Sequence, residues 1–212
     1  MIRIAIADDH TMVREGLRNI LAKQSDIQIV GEVTNGREAV ELVRQQNPDV
    51  ILLDISMPEK DGIEATKEIM TLDVITKVLI LTLHSNETFA LHMLRAGARG
   101  FICKSAKSEE LVNAIRKVSG DRYYLPPALE SVFAEKYLSP TAKKQPSELL
   151  SDREFQVMRL LALGFTNREI AQQLYISVKT VDNHRMRILE KLKLRNNSDI
   201  TRFAIQHGFI EN

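Results

Sequence analysis

One stretch constrains this chain more than any other: Val50-Ile51-Leu52-Leu53-Asp54-Ile55-Ser56-Met57-Pro58-Glu59-Lys60-Asp61-Gly62. Four consecutive aliphatic residues without polar alternation read as a strand buried on both faces. Pro58 and the Asp61-Gly62 pair end it. The single carboxylate, Asp54, therefore stands at the carboxyl end of a buried strand. In open α/β sheets, ligands and chemistry collect at that edge.

Four more stretches read the same way. Residues 2–7, 27–33, 78–82 and 100–104 are expected strands. Between and after the five strands, residues 11–24, 36–46, 63–70, 86–96 and 108–118 carry helical spacing. Asn47-Pro48 stops the second helix, Gly97 ends the fourth, and Ser108 is expected to cap the fifth. Five β-α repeats with short connections predict an α/β fold, a five-stranded doubly wound parallel sheet over residues 1–120.

In such a sheet the loops that follow the strands share one edge. The first brings Asp8 and Asp9, the third Asp54, the fourth Thr82 and the fifth Lys104. Three carboxylates repel one another unless a cation sits among them. Oxygen donors of this kind, completed by a backbone carbonyl and water, suit Mg²⁺. Thr82 and Lys104 would then meet an oxyanion placed on Asp54, which is the composition of an aspartyl-phosphate site. Taken singly, each residue has a bland reading: an Asp at a strand end caps a turn, Asp8-Asp9 cap the first helix, and Lys104 is a surface lysine. The conjunction at four strand ends argues against that. Neither a P-loop nor a GxGxxG is present, which disfavours a nucleotide-binding α/β domain.

A single cysteine excludes an internal disulfide and fits a reducing compartment. There is no signal-peptide pattern and no run approaching ~20 apolar residues, so the expectation is a cytoplasmic protein without a membrane partner. Cys103 is expected to be a small buried strand residue. His10, His92 and His207 show no metal-ligand spacing with cysteine or with one another.

Residues 121–147 change character. Pro126-Pro127 sets an extended segment, residues 128–138 have helical spacing, and residues 139–146 read as a polar tether. Residues 148–212 then predict an all-α unit of four helices. Ser151-Asp152-Arg153-Glu154 and Thr166-Asn167-Arg168-Glu169 are capping boxes. Ser177 caps a long helix, and Ser198 is expected to cap the last. Two helices around the tight turn at Tyr175-Ile176-Ser177 form a helix-turn-helix. Residues 177–195 hold six basic residues against two acidic ones. Lys179, Thr180, Asn183, Arg185 and Arg187 are the candidate DNA contacts: Asn183 for base edges, the cations for phosphate or base.

Asp8-Asp9, Asp54 followed by Met57-Pro58 and Gly62, Thr82 and Lys104 resemble the receiver domain of two-component response regulators. That resemblance implies phosphoryl transfer to Asp54 from a histidine kinase. It implies Mg²⁺ on Asp9, Asp54 and the Ser56 carbonyl, with Asp8 acting largely through water. It also implies a switch pair, Thr82 and Phe101. Ser105 stands where many receivers have proline, which puts the usual cis peptide in doubt. Ser56 and His84, each two residues past a site residue, are positions that tune access of water to the acyl phosphate.

In the second half, Leu150-Ser151-Asp152-Arg153-Glu154, the run Gly164-Phe165-Thr166-Asn167-Arg168-Glu169-Ile170-Ala171 and the run Ser177-Val178-Lys179-Thr180-Val181-Asp182-Asn183-His184 resemble the LuxR-type DNA-binding domain. The whole chain is similar to the NarL/FixJ subfamily. That similarity implies homodimers on paired DNA half-sites, with the last helix around Ile200 and Phe203 as the pairing surface and His184 as a packing residue. The chain is expected not to be an enzyme. A phosphatase using Asp54 needs a second acid two residues on, where this chain has Ser56. The remaining alternative is a DNA binder whose receiver is an unphosphorylated dimerisation module.

Overall fold

The computed structural model describes residues 1–55, 57, 60, 62–82, 87–127, 129–130, 149–207 and 209–210. Its contacts divide the chain into two units, one over Met1–Ser85 and Ala90–Glu130 and one that takes in Ser131–Asn212.

In the first unit strands and helices alternate: β1 (Ile2–Ala7), α1 (Thr11–Leu21), β2 (Ile27–Val33), α2 (Gly36–Gln46), β3 (Val50–Asp54), α3 (Gly62–Ile69), β4 (Lys77–Thr82), α4 (Glu87–Ala96), β5 (Gly100–Cys103) and α5 (Ser108–Ser119). All neighbours pair in parallel, in the order β2-β1-β3-β4-β5. β3 is central and buried along its whole length, as its unbroken apolar run requires. Ile4, Ile6, Leu52, Leu79, Leu81 and Ile102 face one way and pack with Leu17, Leu21, Leu111 and Ile115 from α1 and α5. The alternate residues Ala5, Ile51, Leu53, Ile80 and Phe101 project to the other face and are buried too. The strand order reverses between β1 and β3, so the crevice at their carboxyl ends is the topological switch point.

Local chemistry explains most helix ends. Asn35 caps α2 by accepting from the Glu38 amide, and Asn47 closes it in the left-handed conformation. α5 differs from expectation: its cap position is Lys107, with no side-chain bond, and Ser108 is already helical. α1 also stops at Leu21, earlier than expected.

The second unit holds α6 (Asp152–Ala162), α7 (Asn167–Gln173), α8 (Val178–Leu192) and α9 (Asn197–Gln206). Both capping boxes form, Ser151 with Glu154 and Thr166 with Glu169. Ser177 accepts from the Thr180 amide and caps α8. The cap of α9 is Asn196, which accepts from the Asp199 amide, so Ser198 lies inside the helix. Phe155, Met158, Ile170, Val181, Ile188, Ile200 and Ala204 fill the core. Phe155 meets Phe209 edge-on at 5.1 Å. Ile200 is wholly buried, and the Phe203 ring lies tilted against those of His207 and Phe209. Of the two residues expected to mark a pairing surface, Ile200 is a core residue, while Phe203 is half-buried and keeps part of its surface on α9. Most of the predicted helix over residues 128–138 and the stop at Gly208 lie outside the described residues. Among the described residues no helix is long and apolar enough to cross a membrane.

Glu154 carries more than a cap. Its carboxylate is buried, accepts from the Ser151 amide at 2.7 Å, and takes the Lys191 ammonium of α8 at 2.6 Å. Burial pushes this carboxyl up. The Lys191 charge and the Ser151 hydrogen bonds outweigh burial and hold it below the ordinary glutamate value of 4.5. Because the folded value is the depressed one, the stabilisation is fully present above pH 4.5 and is lost as pH falls through the folded value. Calorimetric melting of the full chain between pH 6 and 3 is expected to show a steep acid loss for the second unit. Glu154→Gln should flatten that slope; an unchanged slope would refute the assignment.

Candidate functional site

The residue types at the four strand ends come together. Asp8 continues β1 past its last paired residue, its amide donating to the Val33 carbonyl at 3.2 Å. Its side chain is wholly buried, while Asp9 and His10 turn toward solvent. The loop is fixed from both sides. The His10 amide donates to Asp8 Oδ1 at 2.9 Å, and Arg14 Nη1 of α1 donates to the Asp8 carbonyl at 2.7 Å. Asp54 ends β3 and is nearly inaccessible; its Oδ1 accepts from the Ile55 amide at 2.8 Å.

Lys104 closes the site. Its amide donates to the Thr82 carbonyl at 2.7 Å, which ties the fifth loop to the end of β4. Its ammonium reaches Asp8 Oδ2 at 2.8 Å and Asp54 Oδ2 at 3.0 Å. Burial pulls this lysine down; the Asp54 charge, together with hydrogen bonds to Asp8 and Asp54, outweighs it and holds the ammonium above its ordinary range. The group is therefore a fixed cation at neutral pH. Thr82 is buried at the end of β4, and Phe101 is wholly buried on β5.

Asp8, Asp9, His10 and Asp54 each offer a ligand atom, and all four atoms lie within 4.8 Å of one another. Two buried carboxylates, Asp8 and Asp54, share the Lys104 ammonium and Asp9 stands beside them toward solvent, so the edge keeps an excess of negative charge that a divalent cation would balance. The oxygen-rich donor set fits Mg²⁺. His10 has no metal-ligand spacing with cysteine or a second histidine in the sequence, yet its ring nitrogen lies among these carboxylates. The signal was its adjacency to Asp8-Asp9.

Other expected positions fare differently. Ser56 and His84 lie outside the described residues. Among the described residues there is no cis peptide bond, so Lys104–Ser105 is trans. Cys103 is half-buried, with Sγ 3.0 Å from Ser105 Oγ, so it is less enclosed than expected. It closes the short strand β5, where the chain already turns toward the surface.

In the second unit α7 and α8 flank a turn in which Tyr175 takes a left-handed φ of 52° and the Ile176 amide donates to the Ala171 carbonyl. Asn167 at the start of α7 donates to Asp182 of α8, which fixes the angle between the two helices. Lys179, Asn183 and Arg187 are exposed on α8. Thr180 is half-buried, its hydroxyl 2.8 Å from that of Ser177, so it serves the cap. Arg185 Nε donates to Asn197 Oδ1 of α9 at 2.6 Å, so this guanidinium braces two helices. Met186, 62% exposed three residues past Asn183, shares the outer face with the candidate DNA contacts. His184 is half-buried, and burial lowers its imidazole below the ordinary value, in keeping with a packing role.

Comparisons with known proteins agree with both units. Residues 4–116 match the model for the response regulator receiver domain, and residues 148–204 match that for bacterial regulatory proteins of the luxR family. The chain is 36% identical to the oxygen regulatory protein NreC of Staphylococcus carnosus over 216 residues, spanning 99% of this chain and 100% of that one. Among solved structures, the response regulator ChrA of a heme-sensing two-component system is 32% identical with a TM-score of 0.54, over 99% of this chain and 98% of that one. A structure of the RcsB response regulator of Salmonella typhimurium is 25% identical with a TM-score of 0.61, covering 96% and 98%. With a receiver domain in front and a LuxR-type DNA-binding domain behind, this chain belongs to the NarL/FixJ subfamily of response regulators, the transcriptional regulators of two-component systems.

Proposed function

We propose that Asp54 accepts a phosphoryl group from a histidine kinase and that the modified receiver, residues 1–120, changes how the unit from residue 148 onward engages DNA. The observation that carries this reading is the Lys104 ammonium, held between Asp8 and Asp54 at 2.8 and 3.0 Å. An Asp54 carboxylate oxygen attacks phosphorus, the P–N bond of the donor phosphohistidine breaks, and the imidazole leaves with the bonding pair. Lys104 meets the negative charge that builds on the transferring group. Asp9, Asp54 and the Ser56 carbonyl would hold Mg²⁺, with Asp8 acting through water; the ion, when bound, supplies further neutralisation of the phosphoryl oxygens.

The product is an aspartyl phosphate rather than a turnover cycle, so the chain is a switch and not an enzyme. Thr82 is drawn toward the new oxyanion and Phe101 repacks, which shifts the population of receiver states. In the second unit, Lys179 and Arg187 contact phosphate and Asn183 reads a base edge, with Met186 as an apolar neighbour for a thymine methyl. Arg185 and Thr180 support the helix from behind. The RcsB structure, whose subject is DNA interaction, supports this reading. The active form is a cytoplasmic homodimer on paired half-sites.

The test is incubation of the full chain with a small acyl phosphate and Mg²⁺, reductive trapping of the acyl phosphate with borohydride, and mass spectrometry of the peptides. The trapped label is expected on Asp54. A label elsewhere, or none, overturns the proposal. For the DNA half, Arg187→Ala is expected to lower the slope of log affinity against log salt by about one. Fluorescence anisotropy across a salt series measures it, and an unchanged slope removes Arg187 from phosphate contact.

A further inference from the structure

We propose that His10 is itself a ligand of the cation at the strand edge, and that its imidazole moves the site's preference from Mg²⁺ toward the later transition ions such as Ni²⁺ and Co²⁺. This rests on the reading of Asp9 and Asp54 as metal ligands given above.

Distances come first. His10 Nδ1 lies 2.7 Å from Asp9 Oδ1 and 3.3 Å from Asp8 Oδ1. Neighbouring ligands of an octahedral ion with bonds of about 2.1 Å sit about 3 Å apart. The imidazole nitrogen and the Asp9 carboxylate are therefore spaced as adjacent corners of one coordination sphere, with Asp8 close enough to act on it through water. Asp54 completes the group, every ligand atom within 4.8 Å of the others.

Position in the fold comes second. His10 occupies the cap position of α1, where Ser, Thr, Asp or Asn would stabilise the helix. Its side chain makes no capping hydrogen bond. The backbone is instead pinned to Asp8 by the His10 amide, and Arg14 holds the Asp8 carbonyl, so the ring is returned over the carboxylates. At 58% exposure the ring forms the outer wall of the site, open to an ion arriving from solvent.

Charge comes third. Asp8 is wholly buried and its Oδ2 looks into the site, with one ammonium shared between it and Asp54. With Asp9 beside them on the solvent side, the group stays under-neutralised, and a divalent cation answers it. Carboxylate oxygen alone suits Mg²⁺ and Mn²⁺; adding imidazole raises affinity for the later ions of the series.

The experiment uses the full chain, its His10→Ala variant and its Asp54→Ala variant. Calorimetric titration gives the Ni²⁺ and Mg²⁺ affinities, and electron spin-echo modulation of bound Mn²⁺ reports a coordinated ¹⁴N directly. The unaltered chain is expected to show nitrogen coupling that His10→Ala abolishes. His10→Ala should also weaken Ni²⁺ binding at least about tenfold, as loss of a ligand should cost no less than loss of an outer-shell partner. Its Mg²⁺ affinity should change far less. Mn²⁺ bound without nitrogen coupling, or an unchanged ratio of Ni²⁺ to Mg²⁺ affinity in His10→Ala, overturns the role of His10 and leaves the carboxylate site standing. Mn²⁺ binding that Asp54→Ala does not weaken overturns the carboxylate site and this inference together.

Discussion

Lys104→Met is expected to destabilise the metal-free receiver by about 3 kcal/mol, or roughly 10 °C in melting temperature, and Mg²⁺ is expected to restore much of it. The reason is the sharing of one ammonium between two buried carboxylates, Asp8 Oδ2 at 2.8 Å and Asp54 Oδ2 at 3.0 Å. Methionine keeps the length of the side chain and removes the charge. Two buried carboxylates are then left facing each other, with Asp9 beside them. A divalent ion no longer competes with the lysine for these oxygens, so its stabilising effect grows. Melting with and without Mg²⁺ measures both effects. Equal melting temperatures for variant and unaltered chain without Mg²⁺ would show that Lys104 is not the internal counter-ion. The same substitution should slow phosphoryl acceptance about 100-fold, the usual cost of removing a fixed electrostatic donor from a transition state. That loss should persist under conditions where the variant is fully folded.

Gly62→Ala is expected to disable the site without touching any charged residue. A Cβ at position 62 would stand 2.4 Å from the Asp54 carbonyl oxygen and 2.8 Å from Ile55 Cα. Both are backbone atoms and neither can yield by rotating a side chain. The close approach exists because the start of α3 folds back on the end of β3, the Gly62 amide donating to the Ile55 carbonyl at 2.9 Å. Relief requires displacing the turn that carries the Asp54 main chain. The expected cost is about 2–3 kcal/mol in denaturant unfolding. Acyl-phosphate labelling should fall more than tenfold, because the carboxylate leaves its register with Lys104. Labelling at the unaltered rate would show that the acceptor tolerates this shift.

Much of the fold was legible because it rests on local chemistry. The unbroken apolar run of 50–53 can be satisfied only between two covering layers, and β3 is buried throughout. The capping boxes at Ser151 and Thr166 formed as written, since cap and acceptor lie three residues apart. Where two nearby caps competed, spacing was a poorer guide. Asn196 outbid Ser198 for α9, its side chain reaching the Asp199 amide. Ser108 entered α5 rather than capping it, leaving Lys107 at the boundary.

The candidate site divides along the same line. Residue types and their shared edge followed from sequence alone, because parallel β-α repeats with right-handed crossovers bring every strand's carboxyl end to one side. What the sequence by itself determined was therefore the set of groups: Asp8, Asp9, Asp54, Thr82 and Lys104. Tertiary structure alone decided which of them touch. Lys104 bridges Asp8 and Asp54, and His10 folds over Asp9. In the second unit Arg185 turns to Asn197 and Lys191 to Glu154, while Lys179 and Arg187 stay exposed. A long side chain samples many partners of equal chemistry, and only the packed positions of distant segments select the one within about 3 Å.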